Sequence, residues 1–338
     1  MDFGTYIIAI DKSQSVWGQP WHEIIPIILS QSGLNVLSPN KKSYYCFCSK
    51  DFSDCIEIGK DGEYIKQRLS QLFNNGVPER MHLIKSEIEC GDRFNHIYRP
   101  VNISSFRNIY DFNPLQDVPK EYYKDPPLEN VSEYSNYVRQ LELILDELFD
   151  IFKVVSPHSR NMRVFGNAIR NVLILSCTEV DSLMKSVLNG NGYKVDRPNM
   201  NDYRQLIIPM KLFDYTLSFR YINEVGGKTP FGKWGTKENS NSLSWYKAYN
   251  HIKHDRINNF KEANLRNAIE ATMGFATMLI ATYGYRNDIW NEKIGRIIEV
   301  KKEPSWSLKD FYLPPVIGSE ELYVNHPDIC KGKTNKKS

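Results

Sequence analysis

The chain has 338 residues, of which 41% are hydrophobic and 12% are aromatic. This length and composition are typical of a folded protein with two domains, and they exclude a disordered chain. The net charge is only +3, which excludes a global positive field, so any contact with nucleic acid is expected to need a local basic patch.

Neither secretion nor membrane insertion is expected from the sequence. The apolar run at residues 6–10 is followed by Asp11 and Lys12, and it is too short for the core of a signal peptide. No stretch approaches the length of a membrane span. We therefore expect a cytoplasmic protein with no membrane partner, in which the six cysteines are reduced thiols.

A zinc site is a second interpretation of the cysteines near the N-terminus. One residue separates Cys46 from Cys48 and six separate Cys48 from Cys55, so the C-x2-C pair of a zinc knuckle is missing. Buried cysteines behave as small hydrophobic residues, which accounts for Cys46 and Cys48 in a strand. The chain also lacks a P-loop and a Rossmann fingerprint. We expect neither a metal nor a cofactor.

Short strands separated by turn residues are predicted for residues 1–120. Four apolar runs indicate these strands: 6–10, 44–48, 55–58 and 82–88. A helix is predicted at 63–73 from its apolar spacing, and 21–30 stays open between helix and strand because it contains Pro26. These patterns predict a mixed α/β or mostly β N-terminal domain, followed by a proline-rich linker at 121–130.

Helical periodicity dominates the chain after this linker. Amphipathic patterns predict long helices at 134–155, 162–188 and 260–283. We therefore expect an all-α helical bundle at 131–290, and an α+β fold for the whole chain. Residues 291–338 are predicted to form a C-terminal extension with an edge strand and a basic tail.

The most unusual segment is WYKAYNHIKHDR at residues 245–256. A turn of 100° per residue places five residues on one side of a helix: Trp245, Ala248, Tyr249, Ile252 and Arg256. Another face holds Lys247, Asn250, His251 and His254, with Lys253 on its flank. Asparagine and histidine are poorer helix formers than the lysine and glutamate usual on a wet face. This polar face is therefore predicted to serve chemistry or recognition.

Glu179 and Arg256 are predicted to form a pair between two helices. Glu179 projects within the apolar stripe of 162–188, where a carboxylate is costly unless it is paired. Arg256 projects from the apolar side of its own helix, which makes it the natural partner. One interpretation is a structural ion pair that joins the helices, and the other is a pair that orients the neighbouring histidines and lysines of an active site.

The loop before 245–256 alternates cations with aromatic side chains. Lys233 and Lys237 lie around Trp234 in this loop, a pattern that suits single-stranded nucleic acid, because bases stack on aromatics and phosphates meet cations. These three residues are therefore candidate binding residues. The alternative is that Phe231 and Trp234 anchor the loop in the helical core.

Four segments resemble the HEPN helical domains of bacterial and phage-defence proteins. They are LSCTEVDSLMK (175–185), PFGKW (230–234), WYKAYNHIKHDR (245–256) and FKEANLRNAIEATMGFATML (260–279). The resemblance covers residues 134–283, somewhat under half of the chain. Many HEPN proteins are metal-independent ribonucleases with an Arg-x4-6-His motif. Here no arginine lies at that spacing before His251 or His254, and the nearest equivalent is Lys247.

The resemblance implies a defence or abortive-infection protein that targets RNA. It also implies a homodimer through the helical domain and a phage or host protein as trigger. As a metal-independent endoribonuclease, the protein would use His254 as general base or acid and His251 as its complement. Lys247 would stabilise the pentacoordinate phosphate, Asn250 would orient the scissile group, and Lys253 would bind the strand.

Two other interpretations stay open. In the first, the polar face of 245–256 holds RNA, a nucleotide or a protein partner without cutting it, and the helical domain is a non-catalytic binding or assembly module. In the second, His251 and His254 ligate a metal ion together with Asp255 or Glu179. No ExxH element in the helical region 131–290 completes a di-metal bundle site.

Overall fold

A computed structural model describes the backbone of five strands between residues 4 and 85, together with residues 92–100, 131–235, 243–285, 288–306, 310, 312 and 322–329. The chain divides into two compact units. The first contains Met1–Arg93, Arg99–Pro126 and Trp306–Tyr323. The second contains Phe94–Tyr98, Pro127–Ser305 and Val324–Ser338.

A five-stranded antiparallel sheet lies in the first unit. Its strands are β1 (Gly4–Lys12), β2 (Trp21–Ser30), β3 (Gly33–Leu37), β4 (Tyr44–Cys48) and β5 (Met81–Lys85). They lie in the order β4-β3-β2-β1-β5. The strands predicted at 6–10, 44–48 and 82–88 are confirmed, except that β5 ends at Lys85. The predicted strand at 55–58 and helix at 63–73 lie outside the described residues.

The segment that contains Pro26 is a strand rather than a helix. Pro26 pairs with Ile7 of β1, and the pairing of β2 with β3 begins only at the next residue, Ile27. Proline has no backbone N–H and is tolerated where a strand has a neighbour on one side only. Residues 21–30, for which the sequence left helix and strand open, therefore form strand β2.

Three long helices build the second unit: α1 (Val131–Val154), α2 (Asn167–Gly190) and α6 (Leu265–Tyr283). The four short helices between and after them are α3 (Met200–Tyr203), α4 (Ser244–His254), α5 (Arg256–Asn259) and α7 (Asp288–Glu292). Helix α6 packs against α1, α2 and α4. It is buried on nearly every side, as expected for a helix that is apolar all round. The three predicted long helices are confirmed, with shifts of a few residues at their ends.

The second unit also contains strands, so the prediction of an all-α unit is wrong, although the α+β class is correct. Strand β7 (Thr216–Phe219) pairs with β8 (Ile298–Lys302) in an antiparallel two-stranded sheet. Leu217, Phe219 and Ile298 are buried, and this burial explains why the strand sequences are apolar on one face. Two further strands, β6 (Asp92–Phe94) and β9 (Leu322–Val324), form another two-stranded sheet, most of whose residues belong to the first unit.

Residues 291–305 are predicted to belong to a C-terminal extension, but in the structure they belong to the second unit. Ile294 and Ile298 are buried in the second unit, and both Nε and Nη2 of Arg220 donate hydrogen bonds to the carbonyl of Gly295. The predicted linker at 121–130 and the basic tail lie outside the described residues. In the part of the chain that the structure describes, no helix is long and apolar enough to cross a membrane.

Candidate functional site

Helix α4 carries the unusual segment and is amphipathic, as predicted. Trp245, Ala248, Tyr249 and Ile252 are buried. The indole Nε1 of Trp245 donates a hydrogen bond to the carbonyl of Pro230 at 3.0 Å. The apolar face of α4 therefore fixes the direction in which its polar residues point.

The helix ends two residues earlier than the pattern predicted. Asp255 adopts φ −145° and ψ 83°, which is not helical. Its carboxylate accepts hydrogen bonds from the backbone N–H of Asn258 at 3.2 Å and from the Asn258 side chain at 2.6 Å, and it thereby caps α5. Aspartate favours such caps over helix interiors. Arg256 therefore belongs to α5 and does not continue the face of Trp245 and Ile252.

The predicted pair between Glu179 and Arg256 is wrong. Arg256 is exposed; its Nη2 donates to Oδ1 of Asn167 at 3.2 Å, and its guanidinium lies 5.8 Å from the centre of the Phe260 ring. Among the described residues no ion pair joins Arg256 to Glu179. Glu179 is half-buried, and this burial raises the pKa of its carboxyl. The pairing failed because it assumed one helix through Asp255.

The predicted polar face of α4 is present at the surface. Lys247 and His254 are exposed, and Asn250 and His251 are half-buried. Spacings of three and four residues on a continuous helix place these four side chains along one stripe. The structure thus brings together all four residues predicted to be catalytic.

His251 has a carboxylate partner that the sequence did not reveal. Its Nδ1 lies 3.0 and 3.1 Å from the two carboxylate oxygens of Glu262. A carboxylate only accepts hydrogen bonds, so Nδ1 carries the proton and Nε2 is left as the acceptor. The side chain of His251 is 41% exposed. This arrangement provides an oriented imidazole at the protein surface, which can accept a proton from a bound molecule.

Neighbouring asparagines hold this pair in place. The side chain of Asn267 donates to the carbonyl of Glu262 at 2.8 Å, and that of Asn259 donates to the carbonyl of Asp255 at 2.9 Å. Glu262 lies in a short 3-10 turn between α5 and α6. The only signal in the sequence was an acidic residue shortly after the helix, which is too common to identify a partner.

Lys253 belongs to a second polar cluster, which also contains Asp181, Tyr246 and Tyr249. The hydroxyl of Tyr246 donates to Oδ1 of Asp181 at 2.6 Å, and Nζ of Lys253 lies 3.5 Å from the Tyr249 hydroxyl. Burial raises the pKa of Asp181, while the bond from Tyr246 and the charge of Lys253 oppose that shift. The cluster joins α2 to α4. Lys253 is therefore exposed, and it also contacts Tyr249 of this cluster.

The aromatic residues of the preceding loop are core residues. Phe231 and Trp234 are buried, with ring centres 5.2 Å apart, and Phe231 also lies 5.7 Å from Trp245. The interpretation that they anchor the loop is confirmed. The assignment of Trp234 as a stacking residue for nucleic acid is wrong, because its ring is not accessible. Lys233 is exposed, and Lys237 lies outside the described residues.

The metal interpretation finds no support in the described geometry. No group of three or more histidine, cysteine, aspartate and glutamate side chains is placed to hold a metal ion within the described ranges. His251 is engaged with Glu262, and Asp255 caps α5.

Known proteins provide no further guide to the site. Comparison of the chain with the patterns of protein families, with curated proteins and with solved structures found no match. Function is therefore inferred from the side chains of α4 and their neighbours.

Proposed function

We propose that this protein is a HEPN-like defence protein that cleaves RNA without a metal ion on the polar face of α4. The observation that carries the proposal is the contact of 3.0 Å between Nδ1 of His251 and the carboxylate of Glu262. His254 follows three residues later and Lys247 precedes by four, so an oriented imidazole lies beside a second imidazole and a cation. Acid–base cleavage of a phosphodiester needs this combination of groups.

The proposed reaction is an intramolecular transesterification. Nε2 of His251 accepts the proton of the 2′-hydroxyl, and the 2′-oxygen forms a bond to phosphorus. The bond from phosphorus to the 5′-oxygen breaks, and His254 donates a proton to that leaving oxygen. The products are a 2′,3′-cyclic phosphate and a 5′-hydroxyl. Lys247 stabilises the extra negative charge on the pentacoordinate phosphate, and Asn250 orients the scissile group.

A homodimer through the helical unit belongs to the same proposal. HEPN domains commonly dimerise with their motifs face to face, and a two-fold axis would present each α4 to its copy. Ile257, directly after the polar face, is 91% exposed, which supports a contact there. The expected trigger is a phage or host protein, so growth arrest should follow infection rather than expression alone.

A non-catalytic RNA-binding module is the second candidate. The observation that favours it is Lys247, which occupies the place nearest to the motif arginine of the HEPN ribonucleases. Lysine acts as a point charge and lacks the bidentate fork with which arginine holds a phosphate. In this alternative the same face of α4 binds RNA and leaves it intact.

The test compares RNA cleavage by the wild type with cleavage by His251→Ala, His254→Ala and Glu262→Gln, each measured with and without EDTA. Loss of a general acid or base should lower the rate by about 10² to 10⁴. Loss of the orienting carboxylate should lower it by roughly 10- to 100-fold, as outer partners of histidine do elsewhere. Glu292→Gln, an exposed glutamate on α7, is the matched control and should cleave at the wild-type rate.

The same proteins distinguish the two candidates. If wild type binds RNA but leaves it uncut, with and without infection of the host cell, the binding module replaces the nuclease. If EDTA abolishes cleavage, the metal-free mechanism is wrong. If Glu262→Gln and Glu292→Gln cleave equally well, the contact with Glu262 has no part in the reaction.

A further inference from the structure

A cavity of 520 Å³ in the second unit lies apart from the polar face of α4. Its wall includes the beginning of α4, at Leu243, Ser244 and Trp245, and the first turn of α6. None of Lys247, Asn250, His251 and His254 lines it. Its volume lies within the range of about 300 to 1,000 Å³ that is usual for small-molecule sites.

Four cations line this cavity: Arg163, Lys228, Lys233 and Arg266. Glu270 is the one carboxylate among the lining residues, and it accepts a hydrogen bond from the Ser244 hydroxyl at 3.2 Å. Four positive charges against one negative charge create a strongly positive local field in a chain whose net charge is only +3. Such a field concentrates anions, and arginine in particular binds phosphate through paired hydrogen bonds.

Backbone hydrogen bonds hold the segments that carry these cations. The N–H of Arg266 donates to the carbonyl of Met162 at 3.1 Å, next to Arg163. Lys228 exchanges two backbone hydrogen bonds with Leu217 of β7, at 2.7 and 2.9 Å. The cations therefore come from three separate parts of the sequence on anchored backbone. Lys228 is half-buried, and Arg163, Lys233 and Arg266 are exposed.

The N-terminal residues of two helices, α4 and α6, line the same cavity. Leu243 is the N-cap residue of α4, and no side chain of the described chain caps this helix. Asn264 caps α6 by accepting a hydrogen bond from the N–H of Asn267 at 3.1 Å. The N-terminus of a helix carries a partial positive charge, which adds to the attraction for an anion.

We propose that this cavity binds a small molecule that carries a pyrophosphate or polyphosphate group. The phosphate groups contact Arg163, Arg266 and Lys228, and the start of α4 faces them. The site is distinct from the polar face that is proposed to act on RNA. A ligand bound there would lie at the beginning of the helix that carries His251 and His254.

The experiment measures binding to the full chain by calorimetry, with EDTA present, using ATP, inorganic pyrophosphate and adenosine as probes. ATP and pyrophosphate should bind, adenosine should not, and rising salt should weaken both interactions. Arg163→Gln and Arg266→Gln should each weaken ATP binding by about 10-fold or more, the loss expected for a charge-assisted hydrogen bond. Arg139→Gln, an exposed arginine on α1, is the matched control.

Glu270→Gln distinguishes an effect of charge on ATP binding from an effect of misfolding, because misfolding cannot make binding tighter. Glu270→Gln keeps an acceptor for Ser244 but removes the negative charge, so it should tighten ATP binding. His254→Ala should bind ATP like the wild type, because His254 does not line the cavity. The proposal is overturned if adenosine binds as well as ATP, or if Arg163→Gln and Arg266→Gln match Arg139→Gln. It is also overturned if a short single-stranded RNA binds while ATP and pyrophosphate do not.

Discussion

Asp181 shows at the residue scale how a partly buried polar group positions a surface site. It accepts a hydrogen bond of 2.6 Å from Tyr246, one residue before Lys247 of the polar face. Burial raises the pKa of Asp181 and also that of Tyr246. The bond joins α2 to α4, so it helps to set the orientation of Lys247 and His251 on α4.

Substitution of Asp181 by asparagine should change how the free energy of unfolding depends on pH. Because the pKa of Asp181 is raised in the folded state, its contribution to stability is full below the unfolded pKa of about 3.9 and is lost as pH rises through the folded pKa. Asparagine stays neutral and still accepts from Tyr246. Urea unfolding should show that the stability of the wild type relative to Asp181→Asn falls with rising pH over this window. A difference in stability between the wild type and Asp181→Asn that stays constant with pH would contradict this effect of burial. Asp196→Asn, at an exposed position, is the control.

At the scale of elements, Trp245 is the residue that attaches α4 to the core. Its side chain is 1% exposed, and its ring contacts both the loop and α6. A Cβ added at Gly274 of α6 would lie 3.1 Å from a ring carbon of Trp245, so glycine allows the close approach of the two helices. The tryptophan of the unusual segment is thus structural, while the polar residues around it remain available for function.

Removal of this ring should destabilise the second unit. Trp245→Ala leaves a large cavity and an unpaired carbonyl at Pro230, and we expect a loss of about 3–5 kcal/mol in the free energy of unfolding. Tyr221→Ala removes another aromatic ring, but that ring is 84% exposed, so this control should stay close to the wild type. Equal stability of the two variants, measured by denaturant unfolding, would mean that α4 is not anchored through Trp245.

At the scale of the whole molecule, the second unit is assembled from segments that are far apart in sequence. Asn191 is buried and connects three of them. Its side chain donates to the carbonyl of Asn95 at 2.7 Å and accepts from the N–H of His326 at 2.8 Å. Tyr98 likewise donates its N–H to the carbonyl of Ala281 at 2.9 Å. Linear boundaries at 120, 130 and 290 cannot describe such a unit, because its segments return to it from both ends of the chain.

Ile298 tests whether residues beyond 290 belong to this core. The residue is 1% exposed in β8, so Ile298→Ala should cost about 2–5 kcal/mol of stability. Ile208→Ala makes the same chemical change at a residue that is 63% exposed, and it should have little effect. If both variants unfold at the wild-type denaturant concentration, residues 291–305 form a detached extension after all.

The sequence by itself determined the features that depend on neighbouring residues. Short apolar runs predicted β1 and β4, and a period near 3.6 predicted α1, α2, α6 and the two faces of α4. Burial follows from these periods, so the polar stripe of α4 could also be predicted. Proline and aspartate were the exceptions, since Pro26 is accommodated in a strand and Asp255 ends a helix through hydrogen bonds that periodicity does not register.

Only the tertiary structure decided which side chains meet. Glu262 reaches His251 because the chain turns between α5 and α6, whereas Glu179 stays apart from Arg256 because α4 ends at His254. The four cations of the cavity likewise come from three separate segments, which only the folded chain brings together. Hydrogen bonds and ion pairs act over about 3 to 4 Å, so partners depend on how distant segments pack, which the order of residues along the chain does not state.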